Sequence, residues 1–339
     1  MKSITMIFFL IAFTISGSAQ DLVAYDLTTQ HLVNPVGIDT KQPSFSWKIR
    51  GTGTNIMQSA WNIIVSTTSR FTGKDIIWDS GWKNSDESVL RGYEGPELKS
   101  STKYYWQVRV RDIRGKTSRW SETAFWETGL FNKDEWKASW IEIEGDTNRY
   151  SPSPHFRKEF MLNKNIESAR VYVTSHGFYE LHLNGSKVGD QVLTPGWTTY
   201  GKRLQYQVYD VTGQLVKGRN AIGAVLGDGW YRGTLGWGSN WAVYGKNLGL
   251  LAQMRIKFTD GTETLILTDG SWTCNQDGAI RMNDIYNGET YDARKKLQGW
   301  DMPGYDDSNW KNVRIGSYTD NLVASEGSPV KKNTGDQTC

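Results

Sequence analysis

The chain has 339 residues, 39 Lys and Arg against 36 Asp and Glu, a formal net charge of +3, two Cys and four His. The small basic excess is spread without blocks, which gives nucleic-acid binding no support. Two Cys build no disulfide framework, and four His without ligand spacing build no zinc motif.

The first 19 residues read as a secretory signal. Lys2 precedes the apolar run 7–13, and Ser16-Gly17-Ser18-Ala19 supplies the small residues of a cleavage site before Gln20. The run is shorter than the roughly 20 residues a bilayer span needs, and no Cys follows it to take a lipid. The expected location is outside the cytoplasm: periplasm, cell surface or medium.

The remainder has room for two domains, and the patterning predicts an all-β chain of two β-sandwich domains. Residues 30–129 alternate apolar and polar with the period of strands, at 44–49, 59–65, 104–111 and 124–126. Turn residues at 51–53, 92–96 and Arg114-Gly115 separate them. Leu98 and Tyr104 have the spacing of a tyrosine corner, in which the hydroxyl ties a loop to its strand. Residues 43–47, 98–110 and 115–120 resemble a fibronectin type III domain. Trp47 and Trp106 are then core residues, and this domain is assigned no chemistry.

Residues 136–320 form the second predicted domain, a jelly-roll-like sandwich of two antiparallel sheets. Strands are expected at 136–141, 156–160, 169–174, 179–183, 203–209, 221–226, 250–258 and 264–267, with tight turns at Asn184-Gly185 and Asp260-Gly261. No segment after the signal shows a long helical period. Asn184-Gly185-Ser186 matches a glycosylation acceptor, but a hairpin explains Asn-Gly better. Cys274 sits in a strand-like segment as a small core residue. A disulfide to Cys339 is formally open. Residues 321–339 are polar and unpatterned, and a disordered tail is expected there.

The run 226–238 carries two Trp, one Tyr, an Asp and an Arg among glycines. Glycine lets the backbone turn sharply and hold large rings at its surface. Flat rings beside a carboxylate and a guanidinium suit a sugar, with one face stacked and its hydroxyls hydrogen-bonded. Trp230, Tyr231 and Trp237 are the stacking candidates, and Asp228 and Arg232 the polar ones. Burial of the same rings in the core, with an Asp228–Arg232 ion pair fixing the loop, is the structural alternative. Asn287, Glu289 and Asp292 could bind sugar or supply oxygen ligands to Ca²⁺; alternatively Asp292 and Arg294 pair to pin their loop. No metal ligand set and no catalytic residue is assigned.

Four motifs in order carry a resemblance. They are Leu183-Asn184-Gly185 through Tyr200, 226–233, Asp284 through Arg294, and Pro303 through Trp310. Over residues 30–320 this looks like the N-terminal region of bacterial α-L-rhamnosidases, the inverting glycoside hydrolases of family 78. The resemblance implies a modular enzyme that removes terminal α-L-rhamnose from plant glycans. It places the catalytic carboxylates in an (α/α)₆ barrel after the β-domains. Inverting chemistry holds acid and base about 6.5–9.5 Å apart around a water. The chain is too short for that barrel, so it is expected to be truncated before its catalytic domain and inactive alone on an aryl α-L-rhamnoside. Glu289 and Asp292 are not taken as a local acid/base pair. Expected partners are a rhamnose-containing glycan and, in the parent enzyme, the missing catalytic domain. A free-standing carbohydrate-binding protein and a structural docking module are the alternatives.

Overall fold

The structure is a computed structural model, and it describes residues 22–52, 54–237, 240–325 and 327–332. The predicted signal and Cys339 lie outside the described residues. Strands dominate, and among the described residues the only α-helix is the single turn Gly229–Arg232.

A three-stranded sheet (Val23–Thr29, Ser44–Arg50, Arg91–Gly92) and a five-stranded sheet (Val36–Ile38, Ala124–Thr128, Lys103–Asp112, Gln58–Ser66, Ile76–Asp79) share the first core. Along Lys103–Asp112 half-buried and buried side chains alternate without a break, because successive residues of a strand point to opposite faces. Phe45 packs 4.6 Å from Trp106 and 5.3 Å from Trp126, between ring centroids. Trp47 is buried and its Nε1–H donates to Gln58 Oε1 at 2.9 Å. The Tyr104 hydroxyl accepts the Lys99 N–H at 2.8 Å beside buried Leu98, which is the tyrosine corner read from the spacing.

The second core lies between a six-stranded sheet and a seven-stranded one. The first holds Phe178–Leu183, Gly218–Gly227, His155–Leu162 and Thr273–Asn275; the second centres on Gly249–Phe258, Ile166–His176 and Leu204–Asp210. Phe156, Leu181 and Ile222 meet Val171, Val173 and Met254 between them. Asn184 and Gly185, with φ of 51° and 81°, make the expected two-residue hairpin turn between Phe178–Leu183 and Ser186–Lys187. The Asn184 amide is engaged: its nitrogen donates to Gln214 O and Asn220 Oδ1, and its oxygen accepts the Ala221 N–H, all at 2.8 Å. Cys274 is free and buried, and burial pushes its thiol up to about 11.

For the described residues 321–325 and 327–332, the expectation of a disordered tail needs correction. Leu322–Ala324 forms a strand parallel to Leu204–Asp210, Val192 N–H donates to Val330 O at 2.9 Å, and Lys331 pairs with Asp190. The strand is only three residues long, Leu322-Val323-Ala324, and its register is set by its neighbour, so its sequence is too short to announce it.

The two cores are joined through polar groups. Arg170 reaches Glu127 at 2.8 Å, and the Ser101 and Tyr172 hydroxyls meet at 2.5 Å. Leu130 N–H donates to Tyr206 Oη at 3.0 Å, and Ala324 N–H to Asp39 Oδ2 at 2.6 Å. A Cβ on Gly129 would lie 2.4 Å from Tyr206 Oη, and one on Gly37 2.4 Å from Val208 Cγ2.

Candidate functional site

Strand Gly218–Gly227 ends at Asp228 and runs straight into the helical turn Gly229–Arg232. Gly229 has φ +55°, and a Cβ there would come within 2.9 Å of the Phe178 ring. This tight turn sends the side chains of adjacent residues in different directions. Arg232 is wholly buried: its Nε donates to Asp228 Oδ1 at 2.7 Å and its Nη1 to Asp146 Oδ2 at 2.8 Å. Asp228 is 3% exposed, and burial, outweighing Arg232, pushes its carboxyl up to about 6. Asp228 and Arg232 therefore fix the loop and do not face a ligand, which corrects their reading as sugar contacts.

Tyr231 is corrected likewise. Its ring stacks on His176 at 4.5 Å and 6°, and the other face of His176 stacks on Trp140 at 4.3 Å and 9°. Burial pushes the Tyr231 phenol up to about 12. These rings form an internal layer, with the His176 Nε2 3.2 Å from Asp320.

Trp230 is half-buried. Its ring lies parallel to Trp197, with centroids 5.6 Å apart and planes 8° apart, and meets Phe178 edge-on at 4.9 Å. Trp197 is 52% exposed, and its Nε1–H donates to the Tyr244 hydroxyl at 3.4 Å. The outward platform is thus Trp197, backed by Trp230 and Phe178 and steadied by Tyr244. Sequence reasoning saw Trp197 only as part of a family motif. The signal was available: an aromatic directly after Pro195-Gly196, in the same glycine-turn context that drew attention to Trp230. Trp237 is fully exposed and no ring is stacked on it among the described residues.

The segment 284–294 meets the Trp230 loop. Buried Asp284 accepts the Thr234 N–H at 2.7 Å and the Tyr286 and Asn287 N–H groups at 2.9 Å. Burial would raise its carboxyl, but these backbone donors outweigh burial and hold it down. The Asn287 amide donates to Thr234 Oγ1 at 3.0 Å, so this candidate is committed to joining the loops. Asp292 accepts from Arg294 Nε and Nη2, both at 2.8 Å, and the guanidinium keeps its carboxyl below the usual range. Arg294 is 88% exposed, so this clasp is local. Glu289 stands exposed on strand Gly288–Tyr291. Among the described residues no three His, Cys, Asp or Glu side chains gather as a cation site; of the two carboxylates read as Ca²⁺ ligands, Asp292 is taken up by Arg294 and Glu289 stands apart on its strand.

Comparison with known proteins agrees with this architecture. Residues 164–334 match the α-L-rhamnosidase N-terminal domain family, and residues 24–132 match the Rha78A-like N-terminal immunoglobulin domain family. An α-L-rhamnosidase of Formosa agariphila is 36% identical over 290 residues, covering 83% of this chain and 31% of the relative; one from Alteromonas sp. is 36% identical over 319 residues, covering 89% and 34%. The chain spans about a third of the length of these relatives. Among solved structures, the Streptomyces avermitilis α-L-rhamnosidase complexed with L-rhamnose superposes with TM-score 0.86 at 26% identity, covering 91% of this chain and 46% of that one. The Aspergillus terreus α-L-rhamnosidase superposes with TM-score 0.84 at 32% identity, covering 91% and 36%. With half its residues matched by the N-terminal domain family, and with none of the described residues in a helical barrel, the chain belongs to the family 78 α-L-rhamnosidases and carries their N-terminal β-region.

Proposed function

We propose that this chain is the carbohydrate-recognising, non-catalytic N-terminal portion of an exported α-L-rhamnosidase acting on rhamnose-containing glycans. Its first unit is fibronectin type III-like over about residues 30–129, and its second is jelly-roll-like from about residue 136. The observation that carries the reading is the Trp197–Trp230 pair. Two parallel indoles (8° between planes) with the outer one half-exposed give a rigid apolar face at low entropic cost. A pyranose ring has an apolar face of that size. Bond cleavage is assigned to helices outside these β-domains.

Affinity electrophoresis in gels containing rhamnose-rich pectin tests the reading. The chain should be retarded, Trp197→Ala should migrate freely, and Trp237→Ala should behave as the parent. Unretarded migration of the parent refutes glycan recognition. Turnover of an aryl α-L-rhamnoside by the pure chain, abolished by Glu289→Gln, refutes the non-catalytic assignment. A second reading, a face that docks the rest of the enzyme, is favoured by Trp237, Tyr286 and Tyr291, which are exposed without a stacked ring among the described residues.

A further inference from the structure

We propose that the pocket between residues 133–140 and 318–322 binds a planar phenol, a flat aromatic ring carrying a hydroxyl donor. The proposal goes beyond the glycan reading and does not rest on it, since none of Trp197, Trp230 and Tyr244 lines this pocket.

The pocket has a volume of about 320 Å³. That is the small end of the roughly 300–1,000 Å³ range of small-molecule sites, so it suits a single small ligand and not a chain of sugars. Trp136, Trp140 and Tyr318 supply its aromatic walls, and Ala138, Leu251 and Leu322 its aliphatic lining. The rings are held in place by contacts of their own. Trp140 stacks on His176 at 4.3 Å and 9°. Tyr318 meets His176 edge-on at 4.4 Å and donates its hydroxyl to Glu142. Trp136 meets Tyr206 edge-on at 5.3 Å. Trp140 and Tyr318 stand at 72° to one another, so a further ring has partners for both offset and edge-to-face contact. Walls fixed in this way present apolar surface at low entropic cost.

Polar groups are few. Lys133 and Asp320 bring the charges, and Thr319 a hydroxyl. Asp320 Oδ1 meets His176 Nε2 at 3.2 Å, and Oδ2 has no hydrogen-bond partner among the described residues, so the carboxylate keeps acceptor capacity. A sugar entering here would bring a hydroxyl on nearly every carbon and leave most of them without a partner, which opposes binding. A planar phenol brings one donor, matched to Asp320, and apolar faces matched to the walls.

Saturation-transfer NMR of the whole chain, titrated with umbelliferone, its methyl ether, cyclohexanol and L-rhamnose, tests this. Umbelliferone should bind about tenfold more tightly than cyclohexanol, which lacks the aromatic faces, and severalfold more tightly than the methyl ether, which lacks the donor. Ala138→Leu fills the pocket from a half-buried position and should abolish binding, while Trp197→Ala should leave it unchanged. Asp320→Asn keeps the side chain's shape and should weaken umbelliferone severalfold but the methyl ether little; an equal effect on both overturns the proposal. Equal binding of the methyl ether removes the role of Asp320, and equal binding of cyclohexanol removes that of the rings; either result overturns it. Preferential binding of L-rhamnose, lost in Ala138→Leu, makes this a sugar pocket, which overturns the proposal and leaves the Trp197 reading standing. Binding that survives in Ala138→Leu, or no binding of any probe, overturns it too.

Discussion

Arg232→Met separates the structural role of the Trp230 loop from a ligand role. The guanidinium is wholly buried between Asp228 and Asp146. Met keeps most of the volume and removes the charge, leaving two buried carboxylates without their counter-ion. Breaking a buried pair in this way costs about 3–5 kcal/mol. At about 2–4 °C per kcal/mol for a unit of this size, the melting temperature falls by about 6–20 °C. The loss depends on pH. The Asp228 carboxyl already sits at about 6 because burial outweighs Arg232, and removing the cation raises it further. A raised carboxyl binds its proton more tightly folded than unfolded. Stability is therefore lost as pH climbs from about 4, the unfolded value, through the folded one. Arg232→Met should be far less stable than the parent at pH 8 and closer to it at pH 5. The assay is thermal unfolding at both pH values by circular dichroism. Asp228→Asn/Arg232→Met should recover part of the loss at pH 8, since it removes the stranded charge. A loss under about 1 kcal/mol, equal at both pH values, would refute the reasoning and return Arg232 to the list of ligand contacts.

Trp237→Ala should change stability by less than about 0.5 kcal/mol, measured by urea denaturation, because the side chain is fully exposed. Gly37→Ala should destabilise by more than Gly261→Ala. Both glycines have positive φ, but only Gly37 would drive a Cβ into Val208 at the joint; a split into two thermal transitions in the first variant would locate the damage there. His155 is buried, and burial pushes its imidazole down to about 4. Its contribution is full above about 6.5 and is lost as pH falls toward 4, worth about 3 kcal/mol; His155→Phe should flatten that limb of a stability–pH curve. Glu180 bonds His182 and Lys187, which hold its carboxyl at about 2 despite burial. For His182, burial opposes the charge, but Glu180 and Asp301 outweigh burial and raise it. The Glu180–His182 pair therefore stabilises most between about pH 4.5 and 6.5. Glu180→Gln should cost more at pH 6 than at pH 8.5, by under about 1 kcal/mol in melting experiments.

The strands were legible wherever one face is buried. Leu250 to Phe258 was read as a strand and the structure gives Gly249–Phe258; Ala221 to Leu226 becomes Gly218–Gly227. Period-two alternation survives translation into structure because each residue's side is set by the pleat alone. The Trp230 run was legible as a special loop, but composition could not say which way each side chain points. One helical turn sends Trp230 outward and Tyr231 and Arg232 inward, and adjacent residues carry no signal for that split. Asp146, the second partner of Arg232, lies 86 residues away, so the pair read from the Asp228–Arg232 spacing was only half of the cluster. Trp197 was hidden by distance too: its partner Trp230 is close only because two loops fold against each other. The parallel strand Leu322–Ala324 was illegible because its register comes from Leu204–Asp210, not from its own sequence.

That late strand has a consequence for synthesis. Leu322–Ala324 closes the edge of Leu204–Asp210, and Ala324 also bonds back to Asp39. On the ribosome the first core is complete once residue 128 has emerged, whereas the seam to the second must wait for nearly two hundred more residues. During that interval an open edge and an unsealed seam face the translation machinery, so the nascent chain is most vulnerable to sticking or cleavage there, and escort by a chaperone matters most in that window.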